Sequence, residues 1–206
     1  MLATLLIIVA FCLGAVPFGL YVARFVKGVD PRDSGSRNTG ATNVARLCGT
    51  QWGILVLALD LFKGYLPAAL APADTGWIAI SLIGLAAILG HIYSPLLQMK
   101  GGKAVATTIG VFLALAPWAT ILAVLCCLAV IALSGYVSMG SLTLALALPF
   151  FSFFTGNFSI VPLALIIMLI LFWRHRENIL RLSRGEEMPW RRRKDDPPAE
   201  MPDVEA

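Results

Sequence analysis

Charge is what this sequence has least of. Asp, Glu, Lys and Arg make up 14% of its 206 residues, where a soluble domain carries about a quarter. Against that stand 58% hydrophobic residues. The balance excludes an ordinary soluble domain and points to an integral membrane protein with one compact helical bundle. Cysteine is also scarce. Cys12, Cys48, Cys126 and Cys127 show no metal-ligand spacing and mostly lie in apolar runs, so they read as small packing residues. With only two histidines, no metal site is implied. The first apolar run, 2–26, has no Lys or Arg before it. A cleaved secretory signal needs a basic start and a small-residue cleavage site, so a retained span is expected instead.

Crossing a hydrocarbon core of about 30 Å takes roughly 20 helical residues. The segments 2–26, 52–71 and 77–98 qualify directly. Residues 104–133 would make a helix of about 45 Å, too long for one upright crossing. Pro117 lies near the middle of that run, and a proline interrupts helical hydrogen bonding. The segments 139–154 and 158–173 follow. Lys and Arg gather after the first span, after the third and after the last, and the turns 71–77 and 155–158 hold none. Cytoplasmic loops carry the basic excess, so the N-terminus is expected outside, the C-terminus in the cytoplasm, and the crossings odd in number. Seven follow if the chain turns at Pro117. Five follow if 104–133 and 139–173 each cross once. The expected fold is an all-α polytopic bundle of about seven transmembrane helices, with 1–187 as the membrane domain. Residues 188–206 are expected to form a disordered cytoplasmic tail.

This topology puts three distant polar stretches on one membrane face. The first is "DSGSRNTGATN", residues 33–43, with two glycines, four Ser/Thr hydroxyls and two asparagines. An ordinary loop does not need that many small polar groups. Arg46 follows Asn43 by about one helical turn and can fork onto a phosphate. The second is "KGGKAVATT", where Gly101, Gly102 and Lys103 precede an apolar helix, an arrangement that favours an anion. It is not a Walker loop, because Leu97 and Ala104 stand where that pattern needs Gly and Ser/Thr. The third is "RHRENILRL", in which His175 and Asn178 share one helical face. A basic juxtamembrane helix that binds anionic lipid has the same look. Asp60 and Lys63 lie inside the second span at i, i+3 spacing, which suits a mutual ion pair facing the bundle. His91, at the end of the third, reads as a capping or packing residue.

At these residues the chain resembles the bacterial acyl-phosphate:glycerol-3-phosphate acyltransferase family. Its three cytoplasmic motifs look like "GSRNTGATN" (35–43), "GGKAVATTIG" (101–110) and "HRENILRLSRGEE" (175–187), supported by "LDLFKG", "LGHIYS" and "YVSMGS". Family members carry smaller residues, often Gly, Pro or Val, where Arg37 and Thr39 stand. The resemblance implies transfer of a fatty acyl group from acyl phosphate to the 1-hydroxyl of glycerol 3-phosphate, giving lysophosphatidate and phosphate. It implies Lys103, His175 and Asn178 as catalytic residues, and Ser36, Asn38, Thr42, Asn43, Arg46, Gly101, Gly102 and Ser141 as substrate-binding ones. Lys103, Arg46 and the Gly101–Gly102 amides would neutralise phosphate. Ser36, Ser141 and Asn178 would orient, and His175 would orient the hydroxyl or take its proton. No cofactor and no nucleic acid are implied. The partners are the two substrates, membrane lipids and the enzyme that makes the acyl phosphate.

The residues suit such a reaction. Acyl phosphate is a mixed anhydride with a good leaving group, so no enzyme nucleophile is required. The chain has no G-x-S-x-G elbow, and Leu96 and Leu180 stand where a His-x4-Asp signature would need its acid. Positioning and charge neutralisation are what remain to be supplied. The rival class is a small transporter or flippase for an anion, which would spread polar groups through the depth of the bundle.

Overall fold

The computed structural model describes residues 2–190, and every regular element among them is helical. In chain order the helices are α1 Leu2–Ala15, α2 Phe18–Lys27, α3 Ala41–Cys48, α4 Thr50–Ala69, α5 Trp77–Ile92, α6 Val105–Leu115, α7 Pro117–Ser134, α8 Val137–Phe154, α9 Val161–Arg174 and α10 Arg176–Arg184. Among the described residues, five helical stretches are long and apolar enough to cross a membrane: Leu2–Lys27, Thr50–Ala69, Trp77–Leu97, Pro117–Ser134 and Val137–Phe154. Counting the pair Phe158–Arg174 and Arg176–Arg184, bent by 55°, makes six. α6 is apolar but has 11 residues, about 16 Å of helix, which is short of a full crossing. Against the seven expected, length and composition thus give five or six spans and one short apolar helix among the described residues.

The interruption at Pro117 falls where the proline fixes it. Ala116 leaves helical geometry at φ −147° and Pro117 opens α7, the first helical position where a missing N–H costs nothing. Ile109 and Leu113 of α6 line one groove with Thr120, Ile121, Val124 and Leu125 of α7. The chain therefore doubles back on itself there.

Without a hydrophobic driving force between helices in lipid, close backbone approach has to come from small residues. Gly64 on α4 faces the Thr107 carbonyl of α6, and Gly110 on α6 faces the Leu61 carbonyl of α4; a Cβ on either glycine would collide with that oxygen. Around these contacts Ile83, Ile88, Phe112, Leu144, Leu148 and Ile167 form the main core. A smaller cluster of Ala23, Val44, Cys48 and Val56 seats the amphipathic α3 on α2 and α4.

The first span is broken. Pro17 separates α1 from α2, and a proline cannot donate back to the preceding turn. The carbonyls freed at the break are capped from elsewhere: Ser94 Oγ donates to Ala15 O, and Lys63 Nζ donates to Val16 O at 2.8 Å. Asp60 pairs with Lys63 at 2.7 Å, with both side chains under 5% exposed. The expected ion pair is present, and the break explains why a lysine stands inside a span. Removing one partner of a buried pair typically costs about 3–5 kcal/mol. Asp60→Asn is therefore expected to lower stability by about that amount, and Asp60→Asn/Lys63→Met to recover part of it. Thermal unfolding in detergent compares the single and double variants.

Candidate active site

The first polar stretch folds around Asn43. Its Oδ1 accepts from Ser36 N at 2.9 Å, and its Nδ2 donates to the carbonyls of Pro31, Ser34 and Asn38 at 2.7, 3.1 and 3.0 Å. Asn43 is 1% exposed, and both its amide nitrogen and its oxygen are bonded within the loop. These bonds make its side chain the centre of the loop fold. Asn38 is similarly occupied, since Oδ1 accepts from Gly40 N at 2.9 Å, the bond of an Asx turn. Arg37 takes a left-handed φ of 53°, a conformation glycine adopts more easily. Thr42 lies on the first turn of α3, and Ser36 is half-buried in the loop. Arg46, one turn further on, reaches out of α3: Nη2 donates to Met188 O at 3.2 Å and Pro189 O at 3.3 Å.

The second stretch differs from expectation in one instructive way. Gly101 N donates to Ile92 O at 3.0 Å and Gly102 N to His91 O at 3.2 Å. These amides satisfy the orphan carbonyls at the end of α5 and are not free for a phosphate. The glycines are needed because a Cβ on Gly101 would strike His91 O and one on Gly102 would strike the His91 ring. On the other side Arg174 Nη2 donates to Gly101 O at 2.9 Å and Gly102 O at 3.1 Å. The turn is held from both sides, and α6 starts from Ala104, another left-handed residue at φ 63°.

Lys103 emerges from that turn and its ammonium donates to Asn178 Oδ1. Asn178 Nδ2 donates to Glu187 Oε1 at 2.6 Å, and Arg181 Nε donates to Glu187 Oε2 at 2.8 Å. This joins the second and third stretches in one chain of polar contacts. Asn178 is 5% exposed and His175 is 2% exposed. Burial lowers the Lys103 pKa to about 8; Glu187 opposes that shift and Arg181 adds to it. Burial raises the Glu187 carboxyl, but the Ser138 hydroxyl beside it and its bonds from Arg181 and Asn178 leave it below the usual carboxylate range.

His175 sits at the bend between α9 and α10. Its Nδ1 lies 2.8 Å from Leu171 O. A carbonyl only accepts, so Nδ1 carries the proton and Nε2 of the neutral ring holds the free lone pair. Burial, with Lys103 adding to it, lowers the His175 pKa to about 4. The ring is neutral at pH 7.

After the left-handed Gly185, residues 186–190 run back across this cluster. They place the Glu187 carboxylate between Asn178 and Arg181, offer two carbonyls to Arg46, and end with Trp190 N donating to Gly135 O at 2.7 Å. Residues 188–190, expected to begin the tail, thus contact α3 and the α7–α8 turn. The rest of the expected tail, 191–206, lies outside the described residues. Ser141 is buried on the first turns of α8 with its hydroxyl donating to Val137 O at 2.9 Å, and makes no side-chain bond to the Lys103 cluster among the described residues.

Glu187 was not among the candidates drawn from sequence, while Arg174 and Arg181 share a stripe of the basic helix with Asn178 and carry no assigned role there. The acidic pair that closes "RLSRGEE" was the one available signal, since a glycine stop directly before it allows the chain to turn back.

A family model described as glycerol-3-phosphate acyltransferase matches residues 4–185. The chain is 54% identical over 189 residues to the glycerol-3-phosphate acyltransferase of Maridesulfovibrio salexigens, covering 91% of this chain and 97% of that one. To the enzyme of the same description from Aquifex aeolicus it is 40% identical over 191 residues, covering 91% and 98%. Among solved structures, the glycerol 3-phosphate form of PlsY, an integral membrane glycerol 3-phosphate acyltransferase, superposes with a TM-score of 0.88 at 39% identity, covering 92% of this chain and 96% of that one. The lysophosphatidic acid form of PlsY gives 0.86 at 38% identity, covering 92% and 95%. These likenesses extend over nearly all of the described bundle and take in all three polar stretches. The chain belongs to the glycerol-3-phosphate acyltransferase family and is a multi-pass membrane acyltransferase.

Proposed function

We propose that the donor is a fatty acyl phosphate, that the acyl group passes directly to the 1-hydroxyl of glycerol 3-phosphate, and that the products are lysophosphatidate and inorganic phosphate. The observation that carries this reading is the contact of Lys103 with Asn178, which sets a cation beside the third polar stretch with Arg46 and Arg181 nearby. An anhydride donor brings its own leaving group, so the site needs charge neutralisation and alignment rather than a nucleophile. Lys103 meets the departing phosphate, and Arg46 the phosphate of the acceptor after exchanging the Met188 and Pro189 carbonyls for it. Asn178, Ser36, Thr42 and Ser141 orient the reactants, while Asn38 and Asn43 shape the loop that carries Ser36.

His175 Nε2 accepts a hydrogen bond from the attacking hydroxyl and orients it. With a pKa near 4 the ring is a weak base, and a phosphate oxygen, whose second pKa is about 6, takes the proton more readily. The bond formed is from the 1-oxygen to the acyl carbon; the bond broken is from the acyl carbon to the phosphate oxygen.

The bundle sits in the bacterial inner membrane with 1–187 as one domain. α6 serves as a seventh, short apolar segment, the N-terminus is outside, and the site faces the cytoplasm. The donor-making enzyme and membrane lipids are its other partners. Transport of an anion is the weaker reading, because the polar residues gather at one end of the bundle and the deep Asp60–Lys63 pair is committed to the Pro17 break.

Topology is tested by cysteine labelling in a cysteine-free background. Ser36→Cys, Lys100→Cys and Ser183→Cys should react only from the cytoplasmic side, and Asp74→Cys only from outside. Labelling of position 183 from outside would break the shared face.

Donor choice is tested with purified protein in lipid. Turnover is expected with acyl phosphate and absent with acyl-CoA or acyl-carrier protein. An acylated serine or cysteine trapped after donor alone would rule out direct transfer.

Lys103→Ala should lose roughly 100- to 1000-fold in rate, the usual loss for one preorganised charge stabiliser. The same residue sets a pH limb. With its pKa near 8, the ammonium is lost as pH rises, so kcat/KM should fall with a one-proton slope above about pH 8. In Lys103→Arg the guanidinium stays charged, and that limb should vanish even though overall activity is lower.

A further inference from the structure

The buried polar groups around the Pro17 break continue to the turn that carries Lys103. His91, near the end of α5, is 8% exposed. Its Nδ1 lies 3.2 Å from Thr107 Oγ1 and 3.7 Å from Asp60 Oδ1. Asp60 is fixed in turn by Lys63, and Lys63 by Val16 O. With the ring held on that side, its other edge lies against Gly102. The three nearest atoms that a Cβ on Gly102 would meet are His91 Nε2, Cδ2 and Cε1. The backbone repeats the link, because Gly102 N donates to His91 O and Gly101 N to Ile92 O. The imidazole is the floor of the turn, and Lys103 is the next residue. Ala104, directly after it, holds a left-handed φ of 63°, a strain that persists only where the surroundings over-determine the backbone.

We propose that His91 is a positioning residue for acyl transfer: held by Thr107 and Asp60, it acts through Gly102 to set where the Lys103 ammonium stands. It touches neither substrate. This rests on the assignment of Lys103 to phosphate made above. A histidine that served the bundle alone would lower the yield or melting point of the protein when removed, and the protein that did fold would turn over normally. A positioning residue lowers kcat in folded protein, since misplacing a catalytic group by about 1 Å can cost roughly a hundredfold.

The geometry supplies a sharp test. Gly102→Ala puts a Cβ into the His91 ring and should lower kcat. His91→Ala removes every one of those nearest atoms and should itself lower kcat about ten- to a hundredfold with intact, monodisperse protein. In Gly102→Ala/His91→Ala the two losses should not multiply: the double variant should be at least as active as Gly102→Ala. Should His91→Ala fail to insert, His91→Asn serves in the same cycle, because it keeps a polar group toward Thr107 while shortening the side chain. Losses that multiply, or normal kcat in folded His91→Ala, would overturn the proposal. Lys103→Ala is assayed in parallel. If it is fully active, the phosphate assignment fails and takes the inference with it. If it is inactive and the losses still multiply, only the role of His91 is refuted. Adding His91→Ala to Lys103→Ala should cost little further, since the residue it positions is already gone.

Discussion

A backbone carbonyl among apolar helices in a bilayer needs a partner from the protein, and the break at Pro17 leaves Ala15 O and Val16 O outside the helical ladder, the latter also accepting from Phe18 N at 3.1 Å. One connected set of buried polar residues follows from capping that break. Ser94 takes one carbonyl and Lys63 the other. Lys63 requires a counter-charge, which Asp60 provides at 2.7 Å. Asp60 neighbours His91, His91 bonds Thr107, and the opposite edge of the ring lies under Gly102. A cavity of about 10 Å³ lined by Thr39, Asp60, Lys63 and His91 adjoins the break, room for about one water. The same cluster therefore borders the loop 33–43 through Thr39 and the turn 101–103 through His91. A defect in the first span is tied to two of the three polar stretches.

The candidate site is a small electrostatic network around one acid. Glu187 receives Arg181 and Asn178 together, and so fixes the Asn178 amide with its oxygen toward Lys103. Without that carboxylate the amide could flip and present its NH2 group to the ammonium. Residues 186–190 carry Glu187 into place and occupy Arg46 with two backbone carbonyls. A carbonyl is a weaker partner for a guanidinium than a phosphate, which accepts in a charge-assisted, two-pronged fashion. Arg46 is thus held near the site by an acceptor that a phosphate can displace.

Sequence alone conveyed the apolar spans, the break at Pro117, the Asp60–Lys63 pair and the meeting of the second and third polar stretches, because each is written in local composition or spacing. The Pro117 break bounds the run before it at about 104–116, and α6 fills 11 residues of it between the left-handed Ala104 at one end and Ala116 at the other. The roles of particular polar groups were less legible. Gly101 and Gly102 read as anion-binding amides, since a glycine pair before a helix has that look, but their N–H groups close the end of α5. Asn43 read as an open amide and proved to be the centre of its loop. Which hydrogen bonds a backbone group makes depends on what packs beside it from 10 or 140 residues away, and Arg46 with Pro189 is the extreme case at a separation of 143. Glu187 was missed for the same reason.

The central claim is that one phosphate-neutralising centre, built around Lys103, handles the departing group of an activated donor. It is tested most directly by a structure of the protein in lipid with a non-hydrolysable acyl phosphonate and glycerol 3-phosphate bound together. The account predicts the phosphonate oxygens within hydrogen-bonding reach of Lys103 Nζ, the Gly101–Gly102 amides still bonded to Ile92 and His91, and the acceptor hydroxyl directed from His175 Nε2 toward the acyl carbon. A phosphonate seated away from Lys103, or one bound by the Gly101–Gly102 amides after release from α5, would contradict it.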